Sequence, residues 1–174
     1  MPKGEKKIII EVDENELLEQ ENKKETVRVL SFSLGGEGYC IKIAQAKEVI
    51  KSPPVTKVPN TPQFVVGVIN LRGEIISVVD IRYFFGLEQK EKTKDIRVII
   101  SDAAGSPVGI IIDKIKDTIN IEKESIQPPL STIKGKLAEY TEGQVQLKKE
   151  ILTLLDLEKV LRCEEMENLR KGGV

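Results

Sequence analysis

The stretch Gly67–Phe85, GVINLRGEIISVVDIRYFF, occurs twice in this chain, and the repetition narrows the possible folds more than any bulk property does. Shifted by seventy-six positions, it aligns with Gly143–Leu161, GQVQLKKEILTLLDLEKVL. Gly67, Leu71, Glu74, Ile75 and Asp80 recur as Gly143, Leu147, Glu150, Ile151 and Asp156, and Arg72, Ser77 and Val79 become Lys148, Thr153 and Leu155. Each copy predicts an apolar strand, a polar turn, a second strand and a short helix. Asp80 and Asp156 stand where an N-cap accepts orphan backbone N–H groups, worth about 1 kcal/mol. Ile81, Phe84 and Phe85, like Leu157, Val160 and Leu161, have the i, i+3, i+4 spacing of a buried helical face. Leu71 and Ile75 are expected in the core.

A weaker echo precedes each copy at a shift of sixty-nine. Ile41, Ile43, Lys47 and Ile50 match Ile110, Ile112, Lys116 and Ile119, and Glu48 meets Asp117. The chain therefore reads as two versions of one β-rich unit, about 26–87 and 95–163. Two copies are too few for a solenoid, so a pair of small, similar barrels packed together is predicted.

Before these units, Met1–Glu25 is a charged leader with a helix-permissive ENELLEQENKKE segment and a short Ile8–Val12 strand candidate. Val27, Val29, Leu30, Phe32 and Leu34 mark a strand whose alternation slips near Leu30. Gly35, Gly36 and Gly38 predict a hairpin turn, where glycine supplies positive φ at low cost. Tyr39–Ile43 returns as a strand, and Ala44–Ile50 is expected as a short helix or turn. Four prolines in KSPPVTKVPNTPQF leave room only for an edge strand near Val55–Val58. Glu88–Lys94 is a charged connection. In the second unit Ile96–Ser101, Val108–Ile115 and Ile119–Ile121 are strands, and Gln127-Pro128-Pro129 is the counterpart of Ser52-Pro53-Pro54. Glu164–Leu169 extends the final helix, leaving 170–174 as a tail. Short strands and frequent turns make the fold mainly β with short helices.

Much chemistry is excluded. The chain has no histidine, and so lacks the commonest general base and metal ligand. Its 27 basic and 28 acidic residues balance to a formal charge of −1, unlike the basic stripe of a nucleic-acid binder. Aromatics are 4% of residues, too few for base-stacking platforms. Gly35-Gly36-Glu37-Gly38 lacks the Lys-Ser/Thr ending of a phosphate loop. Cys40 and Cys163 fall in different units with no metal-ligand spacing, as in a reduced, cytosolic chain. No signal peptide or membrane-length apolar run is expected. Asp102, Asp113 and Asp117 lie near one another, but acids at this density are ordinary surface residues.

The duplication also serves as an internal control. Positions common to both copies, such as Gly67/Gly143, read first as structural, whereas differing ones are candidates for function. Gly73 becomes Lys149, so the hairpin itself does not demand glycine there. Arg72-Gly73 is then either a turn whose missing side chain admits a partner, with Arg72 as a donor fork, or a solvated turn. Gly109 likewise stands where the first unit has Cys40. Spacing alone does not choose.

The segment NTPQFVVGVINLRGEIISVVDIRYFFGL resembles the signature of the CheW family of chemotaxis coupling proteins. The resemblance extends through LSFSLGGEGYCIKIAQAKEVI, VGIIIDKIKDTI and LDLEKVLRCEEMENL, essentially Val27–Leu169. A regulatory domain of the kinase CheA is similar, but CheA also carries phosphotransfer and ATP-binding segments, and CheV-type couplers add a receiver domain. The resemblance implies two intertwined SH3-like five-stranded β-barrel subdomains within 26–169, with a groove between them and no catalysis or cofactor. It implies an adaptor between chemoreceptor (methyl-accepting chemotaxis protein) signalling tips and the histidine kinase CheA, cytoplasmic and recruited to membrane-associated arrays. Receptor contacts carried over by motif are Ala46, Glu48, Gly67, Asn70, Arg72, Gly73 and Gly109. Ala46 departs from the larger apolar residue frequent there. Ile43 is the implied kinase contact, on an apolar barrel end. The alternatives are a small β-barrel module binding nucleic acid or another protein, and an enzyme built on carboxylates.

Overall fold

The computed structural model describes residues 15, 24–51, 53–89 and 96–172. Apart from Asn15, Lys24 and Glu25, the leader lies outside the described residues, as do residues 90–94 of the connection. In the first repeat come β1 (Thr26–Leu34), β2 (Glu37–Lys42), a 3-10 turn at Ile43–Gln45, β3 (Glu48–Lys51), β4 (Val65–Leu71), β5 (Glu74–Val79) and α1 (Arg82–Phe85). The second repeat supplies β6 (Arg97–Ser101), β7 (Val108–Ile112), β8 (Lys114–Glu122), α2 (Lys136–Tyr140), β9 (Thr141–Gln146), β10 (Ile151–Leu155), α3 (Leu157–Leu161) and α4 (Glu164–Lys171).

These strands form two five-stranded sheets, ordered β8-β1-β2-β10-β9 and β3-β6-β7-β5-β4. Replacing every strand by its repeat counterpart turns the first order into the second. The contiguous units 26–87 and 95–163 are thereby corrected: each sheet takes two strands from one repeat and three from the other. A tight hairpin needs at least two loop residues, yet only Asp113 separates β7 from β8. The chain cannot fold back there and passes onto the other sheet, which also breaks the strand predicted as Val108–Ile115. Ala44–Ile50 is corrected likewise. It divides into the 3-10 turn and the edge strand β3, whose four residues are too few to show a period.

Three apolar clusters result. Val29, Cys40, Ile121, Val145, Leu152 and Leu154 fill the first barrel. Ile69, Ile76, Val78, Val98, Ile100 and Ile111 fill the second. Phe32, Tyr39 and Ile41 of one sheet meet Val79, Ile99, Ile110 and Ile112 of the other in a larger core between them, roofed by Phe84, Leu157, Val160 and Leu161. The slip expected near Leu30 is corrected: β1 pairs with β2 in unbroken register, and the irregularity in the β1–β8 pairing lies on β8, where Lys116 and Asp117 stand opposite the single Ser31. Ordinary strand alternation buries the consecutive residues Val29 and Leu30 in two different cores, because both faces of β1 are covered.

The shared glycines have a packing cause. A Cβ on Gly67 would lie 2.3 Å from the Thr56 carbonyl oxygen, and one on Gly143 would lie 2.6 Å from that of Gln127. In both repeats the proline-rich segment crosses the hairpin here, through isolated bridges Thr56–Val68 and Gln127–Gln144. Gly38 is corrected from turn to strand; only Gly35 and Gly36 take positive φ in the first hairpin.

Leu71 packs partly buried against the second barrel's filling, but Ile75 is 64% exposed. Ile75 and its counterpart Ile151 point outward near their hairpin tips, while the next residues, Ile76 and Leu152, point in. Asp156 caps α3, accepting the Lys159 N–H at 3.1 Å. Asp80 departs from that pattern: α1 begins at Arg82, and the carboxylate grips the Arg82 guanidinium as well as its N–H. The second copy has Glu158 at that position and cannot do so. The last helix is separate, with acids in its first turn and bases in its last, and it continues through Lys171 beyond the boundary expected at Leu169. Among the described residues no helix is long and apolar enough to cross a membrane.

Candidate functional site

Arg72 and Gly73 are the central residues of the β4–β5 turn, both at positive φ (52° and 86°). Two such residues make the type I′ geometry that matches strand twist. Asn70 steadies it, its side-chain oxygen accepting the Gly73 N–H at 2.9 Å. In the second copy Lys148 and Lys149 take no positive φ, so the same hairpin closes by a different turn. The turn geometry holds Arg72 in a conformation that a non-glycine residue rarely adopts.

From that tip the Arg72 guanidinium reaches Glu48 in a forked contact, Nη1 to Oε1 at 2.8 Å and Nη2 to Oε2 at 3.1 Å. Glu48 starts β3, at the opposite edge of the same sheet from β4. The pair therefore spans the barrel's open seam. Glu48 keeps 29% of its side chain exposed and Arg72 keeps 75%. Hydrogen bonding to Arg72 holds the Glu48 carboxyl below the usual glutamate range and raises the Arg72 guanidinium further.

Register explains how the motif residues relate. Glu48 pairs with Ile100, Ile100 with Gly109, Gly109 with Val78, and Val78 with Gly67. Three motif residues thus lie in one row across the sheet, with Asn70, Arg72 and Gly73 at the adjoining tip. Only some of them form a surface. Gly67 and Gly109 are buried, whereas Asn70, Arg72 and Gly73 are exposed and nothing lies within 4 Å of where a Gly73 Cβ would be. Gly109 makes room: a Cβ there would sit 2.9 Å from Val98 Cγ1 and 3.2 Å from Val78 Cγ2. Its counterpart Cys40 pairs across the strands with Ser31, as Gly109 does with Ile100. Ile43 and Ala46 lie half-buried on the crossover from β2 to β3, with the Ala46 N–H bonded to the Ile43 carbonyl.

Two features were not expected from the sequence. Val49, 40% exposed beside Glu48, is an outward apolar residue of β3, in a segment expected as a short helix or turn. Secondly, the other barrel closes its seam with Lys116 on β8 and Glu150 on the β9–β10 hairpin, an ion pair of reversed polarity. The lysine of that pair was visible as the match of Lys47, and the acid as the match of Glu74; what no alignment shows is that they meet. Elsewhere, a cleft of about 840 Å³ lies among α2, α3 and α4, lined by Lys136, Tyr140, Asp156, Arg162 and Cys163 among others. It contains none of the motif residues.

Fold and surface together define a class: a small protein of two strand-exchanged barrels that presents a hairpin rim. The model of the CheW-like domain matches residues 28–165. The chemotaxis protein CheW of Klebsiella aerogenes is 35% identical over 137 residues, covering 79% of this chain and 82% of its own. CheW of Helicobacter pylori is 31% identical over 143 residues, 82% of this chain and 86% of its own. Among solved structures, the scaffolding protein TtCheW from Thermoanaerobacter tengcongensis is 34% identical with a TM-score of 0.71, covering 81% of this chain and 96% of that one. This chain belongs to the CheW-like family of chemotaxis scaffold proteins.

Proposed function

We propose that this chain is a non-enzymatic adaptor that couples the cytoplasmic signalling tips of chemoreceptors to the histidine kinase CheA, in arrays at the membrane. The observation that carries the reading is the rim at the β4–β5 tip. An arginine is exposed over most of its side chain there, is held in one geometry by Glu48, and stands beside a glycine with open space around it. A receptor tip is a helical hairpin, and close approach of a helix to backbone suits a glycine-bearing turn flanked by a planar donor. In this reading Asn70, Arg72, Gly73 and Glu48 make receptor contact, Ala46 adds a small apolar contact, and Gly67 and Gly109 shape the sheet beneath. Ile43 belongs to a separate kinase-facing surface.

The test is a titration of isotope-labelled protein with a receptor signalling-tip fragment and, separately, with the kinase regulatory domain. Amide shifts around Glu48, Arg72 and Gly73 with the first, and around Ile43 with the second, are the expected result. Silence toward both ligands would remove the coupling role.

A further inference from the structure

The two barrels are joined by two crossovers, and the structure treats them unequally. The crossover from β7 to β8 is the single residue Asp113. Its N–H donates to the Ser33 carbonyl at 3.1 Å, and its Oδ2 accepts the Gly35 N–H at 2.7 Å, so it docks the β1–β2 hairpin of the first sheet. Its other oxygen, Oδ1, lies 3.5 Å from Nη1 of Arg82, on the helix that follows the second sheet's β5. Arg82 is itself fixed: its Nε and Nη2 donate to Asp80 at 2.9 and 2.7 Å, and both residues are only 5% exposed. One carboxylate therefore bonds to a turn of one barrel and pairs with a helix anchored to the other.

Among the described residues nothing equivalent is found at the second crossover, residues 43–47. The repeat places Ala44 where Asp113 would be, and Glu158 where Arg82 would be. There the described side-chain ion pair is Lys47 with Asp102, 3.8 Å apart and more than half exposed on both sides. The apolar core between the barrels attracts them but is non-directional. The buried Asp80–Arg82 pair holds the guanidinium in a fixed direction, and Asp113, 37% exposed, meets it at 3.5 Å while accepting the Gly35 N–H; such directional polar contacts select one arrangement among several that pack comparably.

We propose that Asp113, clamped between Arg82 and the Gly35 amide, is the fixed pivot that sets the orientation of one barrel to the other, and that residues 43–47 are the compliant crossover. The proposal does not depend on the coupling role. If that role also holds, Ile43, Ala46 and Glu48 sit on or beside the side that yields when the barrels move.

Backbone N–H residual dipolar couplings of the labelled full chain test it. In the native protein the couplings of both sheets fit one alignment tensor. In Asp113→Ala each sheet still fits a tensor of its own, but the two differ, and the Gly35 amide exchanges roughly tenfold faster or more. Asp102→Ala, which removes the partner of Lys47 at the other crossover, leaves a single tensor. Should Asp113→Ala fail to fold, Asp113→Asn is measured in the same way, since it keeps an acceptor for Gly35 and loses the charge facing Arg82. A single tensor in the Asp113 variant overturns the pivot whatever the Gly35 amide does, because the shared core would then set the orientation alone. Separate tensors in Asp102→Ala would overturn the assignment of the compliant side.

Discussion

Arg72 and Glu48, twenty-four residues apart and on opposite edges of one sheet, close a barrel seam through two parallel hydrogen bonds. Both ends are solvated, so the contact orients the arginine more than it holds the fold together. Arg72→Ala is expected to leave the melting temperature within about 2 °C of the parent. The same change should weaken binding of a receptor-tip fragment roughly tenfold or more, as loss of an interfacial arginine anchor does. Calorimetric melting and a binding titration on one sample check both. An equal loss of stability would make Arg72 a structural residue. Because the Glu48 carboxyl is depressed in the folded state, its small contribution is present above the ordinary glutamate pKa. It fades as pH falls through the lowered value.

Ile75 and Ile76 are neighbours of the same type with opposite fates, 64% and 2% exposed. Ile75→Ala should change unfolding free energy by no more than about 0.5 kcal/mol. Ile76→Ala should cost about 2–5 kcal/mol, since it empties space in the second barrel's filling. Urea melts of the two variants give the comparison directly.

Adding one methyl at Gly109 or at Gly67 meets different obstacles. At Gly109 the obstacles are side chains, Val98 Cγ1 and Val78 Cγ2, and Gly109→Ala should cost about 1–3 kcal/mol. Pairing it with Val98→Ala should cost less than the sum of the two single changes, because each makes room for the other. At Gly67 the obstacle is the Thr56 carbonyl, which belongs to the crossing backbone and cannot step aside. Gly67→Ala should cost about 3 kcal/mol or more, without rescue by any neighbouring side chain. Denaturant midpoints of the four variants decide it.

Alkali should unfold this protein earlier than its charge balance suggests. Burial pushes the Cys40 thiol up to about 12, helped by the Glu142 carboxylate, and raises Tyr140 to about 12. Tyr39 is raised as well, by burial and then by Glu37, and Cys163 by burial first. These groups stay neutral in the folded chain while the unfolded chain ionises them at ordinary values. Stability is therefore full below about pH 8.5 and declines as pH rises toward the folded values. Urea midpoints measured at pH 8 and at pH 10.5 should show a clear fall, and a flat profile would contradict it. For the same reason Cys40 should resist thiol reagents at pH 8 until the protein unfolds.

Local pattern determined a good deal here. The two copies of hairpin and helix, the inward face of α3 and the Asp156 cap follow from spacing and residue type, which act within a few residues, whereas Ile75, expected in the core, is turned outward and Ile76 takes its place. Even Gly67 and Gly143 were marked as structural by their repetition alone. The motif carried the family, and the family carried the two barrels. Tertiary structure decided which strands share a sheet. That choice rests on a one-residue crossover at Asp113 that cannot turn back on itself, a constraint invisible to periodicity. It also decided that Glu48 meets Arg72, that Lys116 meets Glu150 with the charges reversed, and that Gly109 is small because Val98 and Val78 crowd it. Each of these is a contact between segments remote in sequence, set by register and barrel closure, and repetition along the chain marks the partners without saying which of them touch.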